Sequence, residues 1–165
     1  MESNAKDFDL DEIDFQLLGL LQADASMANQ DMAAAVGVSP ATALRRVRRL
    51  IESGLIERRI ALLSAAKVGG LQALVEVQLD RQGAEHLDAF ETLAVADPAV
   101  QQCWRVSPGP DFVLVLWVAD MAAYNALVQR LFTQNANVRN VKTFFATRRA
   151  KFDPRVEPSV LSRRS

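Results

Sequence analysis

Apolar residues recur at intervals of three and four through the first sixty positions of the chain, then switch to alternation. Ile13, Leu17, Leu18, Leu20 and Leu21 form one helical stripe, with Asp9 or Asp11 placed to cap its start and Asp24-Ala25-Ser26 to end it. The segment 29–36, NQDMAAAV, consists of good helix formers and closes at Gly37, a residue free to take the positive φ of a tight turn. Ser39-Pro40 opens a third helix, because Ser caps a free N–H and Pro at the first helical position gives up only an N–H that had no partner. Leu44, Val47, Leu50 and Ile51 are expected to form its inward face, and Gly54 stops it.

From Leu55 the pattern becomes strand-like, with Ile56, Arg58 and Ile60, and SAAKVGG (64–70) reads as a connector. Beyond it come a strand at 71–80, a helix at 84–96, a strand at 100–107 and a turn at Pro108-Gly109-Pro110. A near-continuous apolar strand at 111–119, a helix at 119–135 and a last strand at 138–148 complete the series. The order βαββαβ with a central hairpin predicts a ferredoxin-like sandwich. The fold class is therefore α+β: a helix-turn-helix domain with a strand-like hinge at 1–63, a ferredoxin-like domain at 64–151, and a loose tail at 152–165 that carries two Pro. Strand 111–119 is apolar on both faces, and two helices cover only one face of a four-stranded sheet. The uncovered face predicts a partner.

Composition narrows the chemistry. A chain of 165 residues with one Cys and one His has no donors for a Cys/His metal cluster and little for a Ser-His-Asp triad, so no metal, no cofactor and no enzymatic reaction is expected. No apolar run approaches the roughly eighteen residues of a membrane span. The acidic N-terminus lacks the layout of a secretory signal, so a cytoplasmic protein is expected. The formal net charge of −1 hides a gradient: residues 1–63 hold 7 basic and 10 acidic side chains, 64–138 hold 4 and 8, and 139–165 hold 8 and 2. Within 39–60 alone, six Arg face only Glu52 and Glu57, which points to an anion-facing surface there.

Two short helices joined through Gly37-Val38-Ser39, the second carrying RRVRR, fit a helix-turn-helix whose second helix enters the DNA major groove. Ser39, Pro40, Ala41, Thr42 and Arg45 occupy its first two turns. Arg45 suits the two acceptors of a guanine edge, Thr42 a single polar bond or a thymine methyl, and Arg46, Arg48 and Arg49 flanking phosphates. The bland alternative is a solvated basic face, and an isolated basic helix would be read that way. Here the preceding helix, the Gly turn and the Ser-Pro start agree on the first reading. A second class of function remains in view, a small-molecule-binding or enzyme-regulating module that does not bind DNA and uses its N-terminal helices for assembly.

On these residues the chain resembles the Lrp/AsnC (leucine-responsive, feast/famine) family of transcriptional regulators. The matching stretches are LDEIDFQLLGLLQADA, AAAVGVSPATALRRVRRLIESGLIERRIALL, VEVQL, the DF of the central hairpin, VADMAAY and FFATRRAKF. The resemblance implies a regulator of amino-acid metabolism, a homodimer that often assembles into tetramers or octamers, and a small amino-acid effector bound between subunits. Carried over by position, the effector region comprises Arg105, Ser107, Pro108, Gly109, Asp111, Met121, Phe144, Phe145 and Ala146. Arg105 would face a carboxylate and Asp111 an ammonium group. Each also has an ordinary structural role open to it: a hairpin cap for Asp111, a core filler for Met121, sheet packing for the two Phe. Trp104 is expected in the core, Cys103 as an ordinary thiol and His86 on the surface.

Two positions depart from the family pattern. Ala28 stands where the second helix usually begins with Ser, so that cap comes from Asn29 or Ser26 or is missing, at a cost of about 1 kcal/mol. The turn Ser107-Pro108-Gly109-Pro110-Asp111 replaces a Gly with Pro and adds a second Pro, removing two N–H donors beside the implied pocket. Either an effector is held differently there or none is bound.

Overall fold

The computed structural model describes residues 9–157. Its elements are α1 (Glu12–Ala23), α2 (Asn29–Ala35), α3 (Pro40–Glu52), α4 (Ala65–Val68), β1 (Leu71–Leu79), α5 (Ala84–Ala96), β2 (Val100–Arg105), β3 (Phe112–Val118), α6 (Met121–Val128) and β4 (Val138–Phe145). A π-helical turn, Gln129–Thr133, prolongs α6. The elements fall into two units, one running to Leu62 and taking in the chain from Phe152, the other Leu63–Lys151. Among the described residues no helix is long and apolar enough to cross a membrane.

In the first unit α1 starts from a reciprocal cap: the Asp11 carboxylate accepts from Asp14 N–H at 3.0 Å, and the Asp14 carboxylate accepts from Asp11 N–H at 3.3 Å. Leu17, Leu21, Met32 and Val47 form the core between the three helices. No side chain caps α2 at Ala28. Ser26 is bonded to Asp24 instead, and the Asn29 amide donates to the Pro40 carbonyl at 2.8 Å, tying α2 to the start of α3. The turn between them bends at Gly37, φ +69°. Ser39 caps α3 by accepting from Thr42 N–H at 3.2 Å, with Pro40 at the first helical position.

Three expectations for this unit change. The inner face of α3 is Ala43, Val47 and Leu50, while Leu44 (49% exposed) and Ile51 (42%) face outward. Intervals of three and four fit two neighbouring stripes, and α3 turns inward the one that also brings Arg46 to α1. No strand forms after Leu55: Ile56 N–H bonds back to the Leu50 carbonyl at 3.1 Å and the segment then runs without regular structure. A strand needs a ladder partner, and none among the described residues pairs with it. The described part of the 152–165 segment is also not loose. Gln22 donates through Nε2 to the Val156 carbonyl at 3.0 Å and accepts from Val156 N–H at 2.7 Å, so one side-chain amide satisfies both backbone groups of a residue far along the chain.

The second unit is a four-stranded antiparallel sheet in the order β2-β3-β1-β4. Alternation divides its faces. Ala73, Val75, Val77, Leu79, Phe112, Leu114, Leu116 and Val118 are buried beneath Phe90 and Ala94 of α5, Leu127 of α6, and Leu131 and Phe132 of the π turn. Phe90 and Phe112 meet with ring centroids 4.8 Å apart. Gly70, at the entrance to β1, has φ +92°, and a Cβ there would lie 2.7 Å from both Trp117 Nε1 and the Val118 carbonyl, so the Trp117 ring requires glycine beneath it.

The opposite face carries Leu74, Val113, Val115, Trp117 and Phe144, set side by side by the pairing of Leu74 with Val115 and with Phe144. Within this unit no described helix covers it, as the apolar pattern predicted. Trp104 lies on this face, 58% exposed, and not in the core. An edge-strand residue opposite Val113 is buried only if something covers that face. Cys103 sits on the helix side, where burial pushes its thiol up, as suits an unreactive thiol. His86 is half-buried rather than fully exposed.

Asp97, buried at the end of α5, accepts from Arg130 Nε at 2.5 Å and Nη2 at 3.1 Å, and caps the Ala99 N–H at 2.9 Å. The Arg130 hydrogen bonds hold its carboxyl below the ordinary range. A depressed folded pKa stabilises above the unfolded value of about 3.9 and loses that contribution as pH falls through the folded value. Asp97→Asn is therefore expected to cost about 1.5–3 kcal/mol at neutral pH and to flatten the acid limb of the stability curve below about pH 4, read by urea unfolding at several pH values.

Candidate functional site

Ala41, Arg45 and Arg48 stand at intervals of four and three on the outward stripe of α3, with Ser39 and Pro40 exposed before them and Thr42 half-buried at the side. The Thr42 hydroxyl lies 2.9 Å from the Ser39 hydroxyl, fixing the first turn. Arg45 and Arg48 make no ion pair among the described residues and project from a helix whose inner face is anchored by Ala43, Val47 and Leu50. Two unpaired guanidiniums thus stand within about one turn of an anchored helix.

The other two arginines, also expected to hold phosphate, are ion-paired to carboxylates of α1 in the free chain. Arg46 is turned inward, its side chain only 17% exposed, with Nη1 3.0 Å from Asp14 Oδ1 and 2.8 Å from the Asp11 carboxylate. Arg49 places Nη2 2.5 Å from Asp14 Oδ2. Asp14 itself is fully buried. The cause is spacing: 46 and 49 lie three apart, and one buried carboxylate of α1 reaches both, turning Arg46 inward while Arg49 stays half-exposed. The Asp14 N–H and then Arg46 lower the Asp11 carboxyl, and the bond to Asp14 raises Arg46. The sequence marks Asp11 as a cap of α1, the role it takes, but gives neither Asp11 nor Asp14 a part in holding α3. The available signal was Asp14 at a core position of the stripe Leu10, Leu17, Leu18, Leu21, ahead of a six-arginine segment.

The positions carried over as an effector region do not converge within one chain. Asp111 N–H bonds to the Val77 carbonyl, at one end of β1, and Ala146 N–H to the Gln72 carbonyl, at the other. Five strand residues separate them by about 17 Å. Arg105, Ser107, Pro108, Gly109 and Asp111 belong to the first end. Phe144, Phe145, Ala146 and Met121, which follows the pairing of Leu71 with Val118, belong to the second. The two charged members are also spent internally. Arg105 Nη2 lies 2.6 Å from both Asp88 and Glu91 of α5 and its guanidinium stacks over Phe112, 5.7 Å from the ring centroid. Asp111 Oδ2 accepts from Leu79 N–H at 2.7 Å, the capping role open to it from the sequence. Phe145 packs edge-on against Tyr124 at 4.9 Å, while Phe144 and Met121 are exposed.

A hollow of about 240 Å³ opens where the double-proline turn overhangs the uncovered sheet face, lined by Glu76, Gln78, Gly109, Pro110, Asn140 and Lys142. Glu76 and Lys142 are cross-strand partners, yet neither makes an ion pair among the described residues. Of the expected positions only Gly109 reaches it. The polar residues missed here are legible as the outward members of VEVQL and VRNVK, where apolar residues would have continued the patch.

Two family models match the chain: the AsnC-type helix-turn-helix domain over residues 10–51 and the Lrp/AsnC ligand binding domain over residues 72–156. A leucine-responsive regulatory protein of Rhizobium meliloti is 36% identical over 150 residues, 90% of this chain and 96% of that protein. An AsnC family transcriptional regulator of Agrobacterium tumefaciens superposes with a TM-score of 0.82 at 31% identity, covering 89% of this chain and 96% of that one. A transcriptional regulator of Neisseria meningitidis, solved as a complex with L-Met, gives a TM-score of 0.81 at 27% identity, covering 88% and 94%.

Proposed function

We infer, because this chain belongs to the Lrp/AsnC family of transcriptional regulators, that it switches genes of amino-acid metabolism by laying α3 in the major groove of its operator. The chain carries the family's DNA-binding helix-turn-helix domain and its ligand-binding domain. The observation that carries the reading is the outward stripe of α3. Arg45, in the second turn, reads a guanine through its two acceptors, Thr42 touches an adjoining base, and Arg48 with the exposed Ser39-Pro40-Ala41 start of the helix holds phosphate. Arg46 and Arg49 fasten the helix from behind.

The working assembly is a homodimer in the cytoplasm, formed across the uncovered sheet face, with tetramers or octamers built from it. A second copy covers Leu74, Trp104, Val115 and Phe144, and sets two recognition helices on successive turns of DNA, roughly 34–36 Å apart. It also gives the two separated ends of β1 a route to one ligand site between subunits. The effector is a small amino acid, as the L-Met complex of the Neisseria meningitidis relative suggests. With Arg105 and Asp111 engaged internally, Lys142 meets its carboxylate and Glu76 its ammonium group at the hollow.

The test is a pair of substitutions. Arg45→Gln is expected to cost about 1–3 kcal/mol on the operator and to relax preference at one base pair, whereas Arg48→Gln weakens all sequences alike and lowers the salt slope by about one. Equal effects of both on selected and unselected duplexes would rule out α3 as the reading element.

A further inference from the structure

The fully buried carboxylate of Asp14 engages two of the four arginines of the recognition helix. Its Oδ1 takes Arg46 Nη1 at 3.0 Å and its Oδ2 takes Arg49 Nη2 at 2.5 Å, while Asp11 adds a second contact to Arg46. The Arg46 Nε is buried without a hydrogen-bond partner, so this guanidinium is held through Nη1 by the two carboxylates alone. Arg45 and Arg48 are left exposed and unpaired among the described residues. Charge on a DNA-facing helix has two consequences. It adds affinity for any phosphate backbone through counterion release, and it adds selectivity only where a side chain meets a base edge. Four free arginines on one helix would raise the first without raising the second.

We propose that Asp14 is a specificity-determining positioning residue: by clamping Arg46 and Arg49 to α1 it fixes the rotation of α3 about its axis and withholds two guanidiniums from DNA phosphate. The clamp sits behind the helix, so it sets which side chains reach the groove without touching DNA. Removing its charge releases Arg49 toward the backbone, leaves Arg46 on Asp11 alone, and lets α3 roll. The inference rests on the reading that α3 enters DNA, and it adds that discrimination is tuned from α1.

The full-length protein is used to enrich duplexes from a random-sequence pool, and affinity is then measured on the enriched duplex and on poly(dI-dC) from 50 to 300 mM salt. Asp14→Asn keeps the shape and one acceptor but not the charge. It is expected to bind poly(dI-dC) at least three-fold more tightly, to bind the enriched duplex at least three-fold more weakly, and to steepen the salt slope by one to two. A merely structural role would lower both affinities together and leave the slope alone, and that result overturns the proposal. The half-exposed Arg49 supplies a second variant that keeps the test independent of folding: Arg49→Gln should leave the salt slope on poly(dI-dC) unchanged where Arg48→Gln lowers it by about one. Equal loss in both variants would show that Arg49 already contacts phosphate and would overturn the clamp. If Arg45→Gln and Arg48→Gln both leave binding intact, the α3 reading fails and takes the clamp with it.

Discussion

Replacing Leu74 by Arg is expected to leave a folded monomer that binds its operator about 100- to 10,000-fold more weakly than the parent. Leu74 is 45% exposed at the middle of the open sheet face, flanked by Val115 on β3 and Phe144 on β4. An arginine there is solvated in a single chain, so the unit keeps its core. In a dimer the same charge would be buried without a partner, a cost that outweighs the association it faces. Affinity then falls because two half-sites held together count as one strong site, and one recognition helix alone cannot supply the second. Leu93→Arg, an equally exposed apolar position on α5, is the matched control and should leave assembly and binding unchanged. Sedimentation equilibrium beside a DNA titration reads both quantities. A dimer that survives Leu74→Arg would place the partner elsewhere.

Phe112→Ala is expected to destabilise the sheet unit by about 3–5 kcal/mol, from lost burial plus the cavity left behind. Phe112 is fully buried where β3 begins, against the Phe90 ring and beneath the Arg105 guanidinium. It therefore joins three elements: α5 through Phe90, β2 through Arg105, and the turn that presents Asp111. For a unit of this size each kcal/mol shifts the melting temperature by about 4–8 °C, so a fall of more than about 12 °C is predicted in a calorimetric scan. Arg105 has lost its ring contact in this variant but keeps Asp88 and Glu91, so the α5 end of β2 should stay ordered. A shift of a few degrees would mean that neighbouring side chains close the cavity.

Much of the architecture was legible because single-period signals determined it. Helix α5 is the stretch 84–96 read from periodicity, and α3 begins at the Ser39-Pro40 pair that physical chemistry selects for a helix start. The central hairpin follows from apolar strands on either side of a Pro/Gly turn. What escaped the sequence depends on pairs that are distant along the chain. Arg46 looks outward by composition and is drawn inward by Asp14, thirty-two positions earlier. Ala43 counts weakly in any hydrophobic pattern, yet it is buried while Leu44 is not. Arg105 and Asp111 looked available for a zwitterion because their partners, Asp88, Glu91 and the Leu79 N–H, are brought in by α5 and β1. The alternation after Leu55 is real, but ladder hydrogen bonds and not pattern make a strand, and no strand among the described residues pairs with it. Trp104 is a case of the same kind, an aromatic left 58% exposed on the open sheet face.

Charge reads the same way. The near-neutral sum conceals an arginine helix, and the structure divides that helix again into two guanidiniums that face outward and two that hold it in place. The most direct measurement of the central claim is a fluorescence-anisotropy titration of the full-length protein against the DNA upstream of its own gene and against an unrelated duplex, over a range of salt and with each common amino acid. The prediction is preferential binding to the upstream DNA, weakening linearly in log salt, and moved by at least one amino acid. No binding to that DNA at low salt, or equal binding to both duplexes at every salt concentration, would contradict it.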